Sequence, residues 1–203
     1  SIQEFVDLML PAYELAEKYR IVTIMMGEGT LGQMMEPVEL PDFVEPKRTP
    51  WALNGHYTYK KIGIFERDSM AEAVELRAKY AEIKENEQRW EAVQVEDAEV
   101  VIVAYGITSR IAKSAIRQAR AQGIKLGLIR PITLWPFPQK AFDALGSQIK
   151  GIVCAEINIL GQMKEDVVAA VKHKLPVESY LEFSYLPTEE AFIAYALEII
   201  KKY

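Results

Sequence analysis

The stretch "EVVIVAYGITSRIAKSAIRQARAQGIKLGLI" (Glu99–Ile129) decides the fold, because it reads as a strand, a helix and a second strand in succession. Its opening "VVIV" is a continuous β-branched run, which is typical of a strand buried on both faces of a parallel sheet. "KLGLI" is the second strand, and Gly123 is placed to end the helix before it. The apolar face of that helix has helical spacing: Ile111, Ala112, Ala115, Ile116 and Ala119.

The alternation of strands and helices continues to the end of the chain. The segments "GIVCAEI" (151–157) and "VESYLEF" (177–183) read as a third and a fourth strand. A short helix is predicted in "PFPQKAFDALGS", a second in "MKEDVVAAVKHK", and a last helix that opens at Thr188. The core face of the last helix is Phe192, Ile193, Ala196, Leu197 and Ile200. We therefore predict an α/β fold with a mostly parallel sheet and helices on both faces.

A proline-rich segment separates this region from the start of the chain. Residues 37–68 are predicted to form an extended connector, since proline disfavours both helix interiors and central strands. The prolines at its start are Pro37, Pro41, Pro46 and Pro50.

A long helix is predicted after the connector. Ser69 and Glu72 have the spacing of a capping box, which marks a helix start. The apolar residues Leu76, Tyr80, Ile83 and Trp90 then follow at helical spacing. We expect this helix to end at about residue 92.

Composition excludes several classes of function. The chain has 203 residues and a net charge of −5 without a basic segment, which argues against nucleic-acid binding. Cys154 is the only cysteine, so the chain has no internal disulfide and cannot by itself supply the thiolates of an iron–sulfur cluster. His56 and His173 are far apart and no zinc spacing is present, so no metal site is predicted. No apolar run is long enough for a membrane span. Together these features favour a cytoplasmic protein.

Gly27, Gly29 and Gly32 spell G-x-G-x-x-G after the apolar run "IVTIMM". A dinucleotide-binding turn needs a full helix and a second strand after these glycines. Pro37 leaves room for about one helical turn, and no second strand follows. We therefore interpret the glycines as a tight turn.

Four blocks of the sequence resemble the alpha subunit of 2-oxoacid:ferredoxin oxidoreductases, most closely the branched-chain type that acts on 2-oxoisovalerate. The longest is "DAEVVIVAYGITSRIAKSAIRQARAQGIKLGLIRPITLWPFPQKAF" (97–142). The others are "GEGTLGQMMEPVELP" (27–41), "PWALNGH" (50–56) and "VCAEINILGQMKEDVVAAV" (153–171). The 2-oxoglutarate and pyruvate types remain alternatives.

The resemblance implies a thiamine diphosphate enzyme that converts a 2-oxoacid to an acyl-CoA and passes electrons through iron–sulfur clusters to ferredoxin. It implies that the diphosphate and its Mg²⁺ are held mainly by a beta subunit, with gamma and delta subunits completing the complex. No cofactor is expected on this chain alone, which should be inactive by itself.

The resemblance also implies a domain organisation. Residues 1–36 look like the last helix and strand of the domain that faces the thiamine pyrimidine. The activating glutamate should then lie before Ser1, and Glu28 is a poor substitute for it. Residues 69–203 resemble the C-terminal domain of transketolase.

The turn after the first strand is a candidate ligand or interface site. Gly106 frees the turn, and Thr108 or Ser109 could cap the following helix, so that its free N–H groups would attract an anion. A basic stripe follows on the helix: Arg110, Lys113, Arg117 and Arg120. Coenzyme A phosphate or an acidic subunit surface would fit it; the alternative is a solvated helix face.

Polar residues after the second and third strands form another candidate site. Glu156, Asn158 and Gln162 should gather at the carboxyl ends of the strands, where open α/β sheets place ligands. Arg130 is predicted to pair with an acidic residue across neighbouring strand ends, such as Glu156. The alternative is a hydrogen-bonded loop that caps a helix.

Two other functions stay open from the sequence. The chain could be a noncatalytic module that only holds subunits together. It could also be the C-terminal lobe of a transketolase-like enzyme, although the "RPITLWPFP" block argues against this.

Overall fold

The computed structural model describes residues 1–45 and 69–203. The chain divides into an N-terminal unit, Ser1–Ile83, and a C-terminal unit, Lys84–Tyr203. Of the predicted connector, residues 46–68 lie outside the described residues, as do His56 and the side chain of Ser69.

The N-terminal unit begins with helices α1 (Ile2–Asp7), α2 (Met9–Tyr19) and α3 (Gly29–Gly32). Between α2 and α3 the chain has no assigned strand, although the sequence predicts one there. The apolar side chains of Val22, Ile24 and Met26 there are 83%, 76% and 75% exposed. An extended segment becomes a strand only when a neighbouring backbone pairs with it, and none does so within the described part of the chain.

The glycine motif of this unit forms the predicted tight turn. Helix α3 is a single turn that starts at Gly29. The Glu28 carboxylate accepts hydrogen bonds from the N–H groups of Thr30 and Leu31, at 2.7 and 3.2 Å. Burial raises the pKa of Glu28, but these hydrogen bonds outweigh it and the net pKa is lowered. Glu28 therefore serves as a helix cap.

The long helix α4 (Ser69–Asn86) is shorter than predicted. Residues 90–93 form strand β1 (Trp90–Val93), although Trp90 continues the helical spacing of Ile83. Trp90 lies seven residues after Ile83, and in a helix this spacing places two side chains on the same face. The same spacing can also arise when the second residue belongs to a strand, so the pattern does not distinguish the two cases. Backbone pairing with a distant strand decides between the two, and no local pattern reports it.

The C-terminal unit is built on five strands. After β1 come β2 (Val100–Val103), β3 (Leu126–Pro131), β4 (Gly151–Glu156) and β5 (Val177–Leu181). Their order in the sheet is β1-β3-β2-β4-β5. Strand β1 runs antiparallel to β3, and the other three pairings are parallel. The predicted mostly parallel sheet is confirmed.

Helices cover both faces of this sheet, as predicted. They are α5 (Gly106–Ala121), α6 (Lys140–Asp143), α7 (Met163–Ala170) and α8 (Glu189–Lys202). One apolar cluster joins α5 and α8 to the face that carries Val100 and Ile102. The other joins α6 and α7 to the face that carries Val101 and Val103. Adjacent residues of β2 thus point to opposite faces, as the pleat requires.

Two predicted helix signals act as expected. Gly123 follows α5 with a φ of +80°, a left-handed conformation that favours glycine. The Thr188 hydroxyl caps α8 by accepting a hydrogen bond from the Ala191 N–H at 3.2 Å.

Candidate functional site

The carboxyl edge of the sheet, where the parallel strands end, carries most of the predicted site residues. From β2 the chain crosses through α5 to β3 on one side, and from β3 it returns through α6 to β4 on the other. Ligands of open α/β sheets bind at such a reversal, outside the strand ends. The residues at this reversal are Tyr105 and Gly106 after β2, and Glu156 with the loop that follows β4.

Glu156 is the centre of this edge. Its side chain is buried, and its two carboxylate oxygens accept hydrogen bonds from the Met163 N–H at 3.1 and 3.2 Å. The Asn158 amide also donates to Glu156 Oε2, at 2.9 Å. The carboxylate therefore caps the first turn of α7, where a negative charge is favourable.

Asn158 shapes the rest of the β4–α7 loop. Its side-chain oxygen accepts hydrogen bonds from the N–H groups of Leu160 and Gly161, at 2.9 and 2.6 Å. Gly161 has a φ of +63°, so the turn favours glycine at this position. Glu156 and Asn158 thus gather as predicted. The Gln162 side chain makes no cap hydrogen bond to α7, and it is exposed.

The buried charge of Glu156 affects its neighbours. Burial raises the pKa of Cys154 to about 12, and the Glu156 charge adds to this rise. Burial also raises the pKa of Tyr105, again with a contribution from Glu156. A thiol with so high a pKa stays protonated, so Cys154 behaves as a buried apolar side chain.

The start of α5 differs from the prediction. The residue before the helix is Tyr105, which has extended backbone and no side-chain cap. Thr108 and Ser109 lie inside the first turn and are buried, and the Ser109 hydroxyl donates to the Gly106 carbonyl at 2.8 Å. Neither residue caps the helix, because a cap must precede the helical residues. Gly106 has a φ of +59°, a left-handed conformation that favours glycine, as predicted for this turn.

The basic stripe of α5 is partly neutralised. Lys113 Nζ lies 2.7 Å from a Glu91 oxygen, and Arg120 Nη2 lies 2.7 Å from an Asp97 oxygen. Arg110 and Arg117 are exposed.

Arg130 pairs with an acidic residue, as predicted, but that residue is Glu91 and not the suggested Glu156. Its Nε lies 2.8 Å from Glu91 Oε2, because these two residues are directly opposite each other in the β1–β3 ladder. Strand β2 separates β3 from β4, so about 10 Å lies between those backbones. The two residues also point to opposite faces of the sheet, since Arg130 alternates with Ile129 and Glu156 with Ala155.

Glu91 is a residue that the sequence analysis missed, because it fell in the overextended helix. Burial raises its pKa, but hydrogen bonds and charge from Lys113 and Arg130 outweigh burial and lower the net pKa. A carboxylate between two cations ties edge strand β1 to both β3 and α5. The position of Glu91 opposite Arg130 would have identified this ion pair, but only once strand β1 was known.

We expect Glu91→Gln to lower the free energy of unfolding by about 1 kcal/mol at neutral pH, since the ion pairs are partly solvated. The folded pKa lies below the ordinary value of 4.5, so this stability is present above that pH and is lost as the pH falls through the folded pKa. Urea unfolding over a pH series should show the wild-type advantage shrinking under acid conditions.

The matched control is Glu96→Gln, at an exposed position in the turn after β1. It should change stability by less than about 0.5 kcal/mol at every pH. A Glu91→Gln deficit that stays constant down to acid pH would contradict the ion-pair interpretation.

No group of three or more His, Cys, Asp or Glu side chains among the described residues could hold a metal ion. Their one cysteine, Cys154, is buried within a strand. The helices in residues 1–45 and 69–203 all lack the length or the hydrophobicity of a membrane-spanning segment.

Comparisons with known proteins agree on one family. Residues 98–183 match the model for the pyruvate:ferredoxin oxidoreductase core domain II. The ketoisovalerate oxidoreductase subunit VorB of Methanothermobacter marburgensis is 46% identical over 84% of this chain and 50% of its own length. The 2-oxoglutarate synthase subunit KorA of Methanocaldococcus jannaschii is 30% identical over 85% of this chain and 54% of its own. The chain thus spans about half the length of these curated relatives.

A solved structure supports the fold. A 2-oxoglutarate:ferredoxin oxidoreductase from Magnetococcus marinus matches with a TM-score of 0.58 at 24% identity, covering 66% of this chain and 24% of that chain.

Proposed function

Because this chain is a homologue of 2-oxoacid:ferredoxin oxidoreductase subunits, we propose that it forms part of the alpha subunit of such an enzyme. The whole enzyme would oxidise a 2-oxoacid to an acyl-CoA and reduce ferredoxin. The substrate would be ketoisovalerate, since identity to the ketoisovalerate subunit is 46% and to the 2-oxoglutarate subunit 30%.

The domain organisation follows from the same relationship. Residues 69–203 would be a domain like the C-terminal domain of transketolase, and residues 37–68 a connector. Residues 1–36 would be the last helix and strand of the pyrimidine-side domain. The apolar side chains of Val22, Ile24 and Met26 are exposed in an extended segment, which supports this, since an unpaired strand would leave such side chains uncovered.

The role of this chain would be structural. The single observation that carries this proposal is the state of the carboxyl edge, where Glu156 and Asn158 already hydrogen bond within their own loop. A polar group committed to a helix cap is not available to move a proton. Thiamine diphosphate, held with Mg²⁺ mainly by the beta subunit, would supply the carbanion chemistry. The iron–sulfur clusters would lie in another subunit or domain of the complex, which gamma and delta subunits would complete in the cytoplasm.

The proposal is tested by reconstitution. The beta, gamma and delta subunits are produced with the full alpha subunit, with this chain alone, or with no alpha component, and ketoisovalerate-dependent ferredoxin reduction is measured with CoA present. We expect turnover only with the full alpha subunit, and binding of the other subunits by this chain.

Each other outcome has a defined meaning. Turnover by this chain alone would contradict the structural role. Assembly without any turnover, even with the full alpha subunit, would favour a noncatalytic module. No assembly at all would contradict the family role.

A further inference from the structure

An exposed apolar surface lies at the ends of strands β4 and β5. We call it the β4–β5 patch, and it consists of Ile159, Leu160, Leu181, Phe183, Tyr185 and Leu186. Four of these side chains are about 70% exposed or more: Ile159 at 68%, Leu160 at 73%, Phe183 at 71% and Tyr185 at 79%. Apolar side chains clustered on one surface mark interaction sites more often than scattered ones do.

The fold brings the two halves of the patch together. Strands β4 and β5 are parallel neighbours that end in register, with Glu156 opposite Leu181. The Glu182 N–H donates to the Glu156 carbonyl at 3.1 Å, so the two loops leave the sheet side by side. A Cβ on Gly161 would lie 3.2 Å from a Leu181 methyl group, so the β4–α7 loop contacts the end of β5.

The loop that carries Ile159 and Leu160 is held in a defined shape. The Asn158 side-chain oxygen accepts hydrogen bonds from the Leu160 and Gly161 N–H groups, and the Asn158 amide donates one to buried Glu156. A patch presented by a rigid loop loses little conformational entropy when a partner binds. This arrangement suits a docking surface.

Carboxylates flank the patch residues along the chain. Glu165 and Asp166 stand in the first turn of α7, Glu189 and Glu190 in the first turn of α8, and Glu182 directly after β5. Within residues 157–166 and 181–190, Lys164 is the one basic residue. None of the five carboxylates lies in an ion pair with a described residue.

The electrostatic setting of Asp166 agrees with this. Burial raises its pKa first, and the charges of Glu165 and Glu156 raise it further. Asp166 is therefore close enough to Glu165 and Glu156 for their negative charges to repel one another.

We propose that the β4–β5 patch docks another subunit of the same oxidoreductase, through a face of that subunit with an apolar centre and a rim of lysine and arginine. The inference rests on the proposed function, which supplies the partner subunits. Charge selects this occupant: a second copy placed face to face would bring carboxylates against carboxylates, which costs binding energy. Aromatic residues such as Phe183 and Tyr185 are the type that anchors interfaces.

The test measures the dissociation constant between the tagged chain and the beta, gamma and delta subunits produced together. The double variant Phe183→Ser/Tyr185→Ser should weaken binding by about tenfold or more, because it removes the apolar anchors. The control Val74→Ser, at an exposed position of α4, should leave binding unchanged.

Charge is tested separately. Wild-type binding should weaken between about 50 and about 300 mM salt, and Glu189→Lys/Glu190→Lys should weaken it by about tenfold at low salt and reduce the salt dependence. The control Glu198→Lys, farther along α8, should have little effect. Circular dichroism and urea unfolding of each variant verify that it is folded.

The outcomes separate the two proposals. If wild type binds and both double variants bind equally well, the docking inference is wrong while the proposed function stands. If wild type binds no subunit, the proposed function fails and the inference falls with it. Sedimentation showing self-association that Phe183→Ser/Tyr185→Ser abolishes would also overturn the inference in favour of a second copy.

Discussion

Replacement of Phe192 by alanine is expected to lower the free energy of unfolding of the C-terminal unit by about 3–5 kcal/mol. The Phe192 side chain is 1% exposed and lies in the apolar cluster between α8, α5 and the sheet. Its ring centroid is 5.1 Å from that of Tyr180 on β5. Truncation would leave a cavity lined on one side by that ring, and close packing cannot fill it.

The measurement is equilibrium urea unfolding followed by tryptophan fluorescence. A Trp51→Phe background leaves Trp90 and Trp135, which both belong to the C-terminal unit. The matched control is Phe183→Ala, since Phe183 is 71% exposed and its loss should change stability by less than about 0.5 kcal/mol. Equal effects of the two substitutions would contradict the assigned core.

Replacement of Glu156 by alanine is expected to lower the free energy of unfolding by about 3 kcal/mol. We expect this loss even though the substitution removes a charged group from apolar surroundings. The substitution removes the acceptor of the Met163 N–H and of the Asn158 amide, both at a site that water reaches poorly. A buried donor that loses its acceptor pays its full desolvation cost. Urea unfolding in the same tryptophan background measures the loss.

Two further variants separate the hydrogen bonds from the charge. Glu156→Gln keeps one acceptor oxygen and should lose about half as much stability as Glu156→Ala. Glu198→Ala, at an exposed position of α8, should stay within about 0.5 kcal/mol of wild type. A fully stable Glu156→Ala protein would show that the carboxylate does not hold the β4–α7 loop.

Part of the candidate site was predictable because it is local. Glu156 and Asn158 are two residues apart, so a strand end followed by a turn brings them together whatever surrounds it. Gly106 and Thr188 likewise act at their own helix starts. The predicted helix cap at Thr108 or Ser109 is wrong because α5 begins a few residues earlier, at Gly106. The first residue of a helix is difficult to locate from a sequence pattern.

The partners of charged residues were not predictable. Glu156 is a plausible partner for Arg130 from the sequence, because each residue lies near the end of a strand. Strand order and the alternation of side chains between the two faces of the sheet nevertheless place the two residues apart. Glu91 is 39 residues from Arg130 in sequence and became its partner only through the β1–β3 ladder. The strand that carries Glu91 was itself assigned to a helix, so its role could not be found.

The sequence by itself determined the parallel α/β character, the helix faces and the turn chemistry, since each depends on spacing within one element. The tertiary structure alone decided the strand order, the antiparallel edge strand β1, the Glu91 ion pairs and the apolar surface that β4 and β5 share. The physical reason is range. Dihedral preferences and apolar periodicity act over a few residues, whereas strand pairing and surface exposure depend on which distant segments pack together.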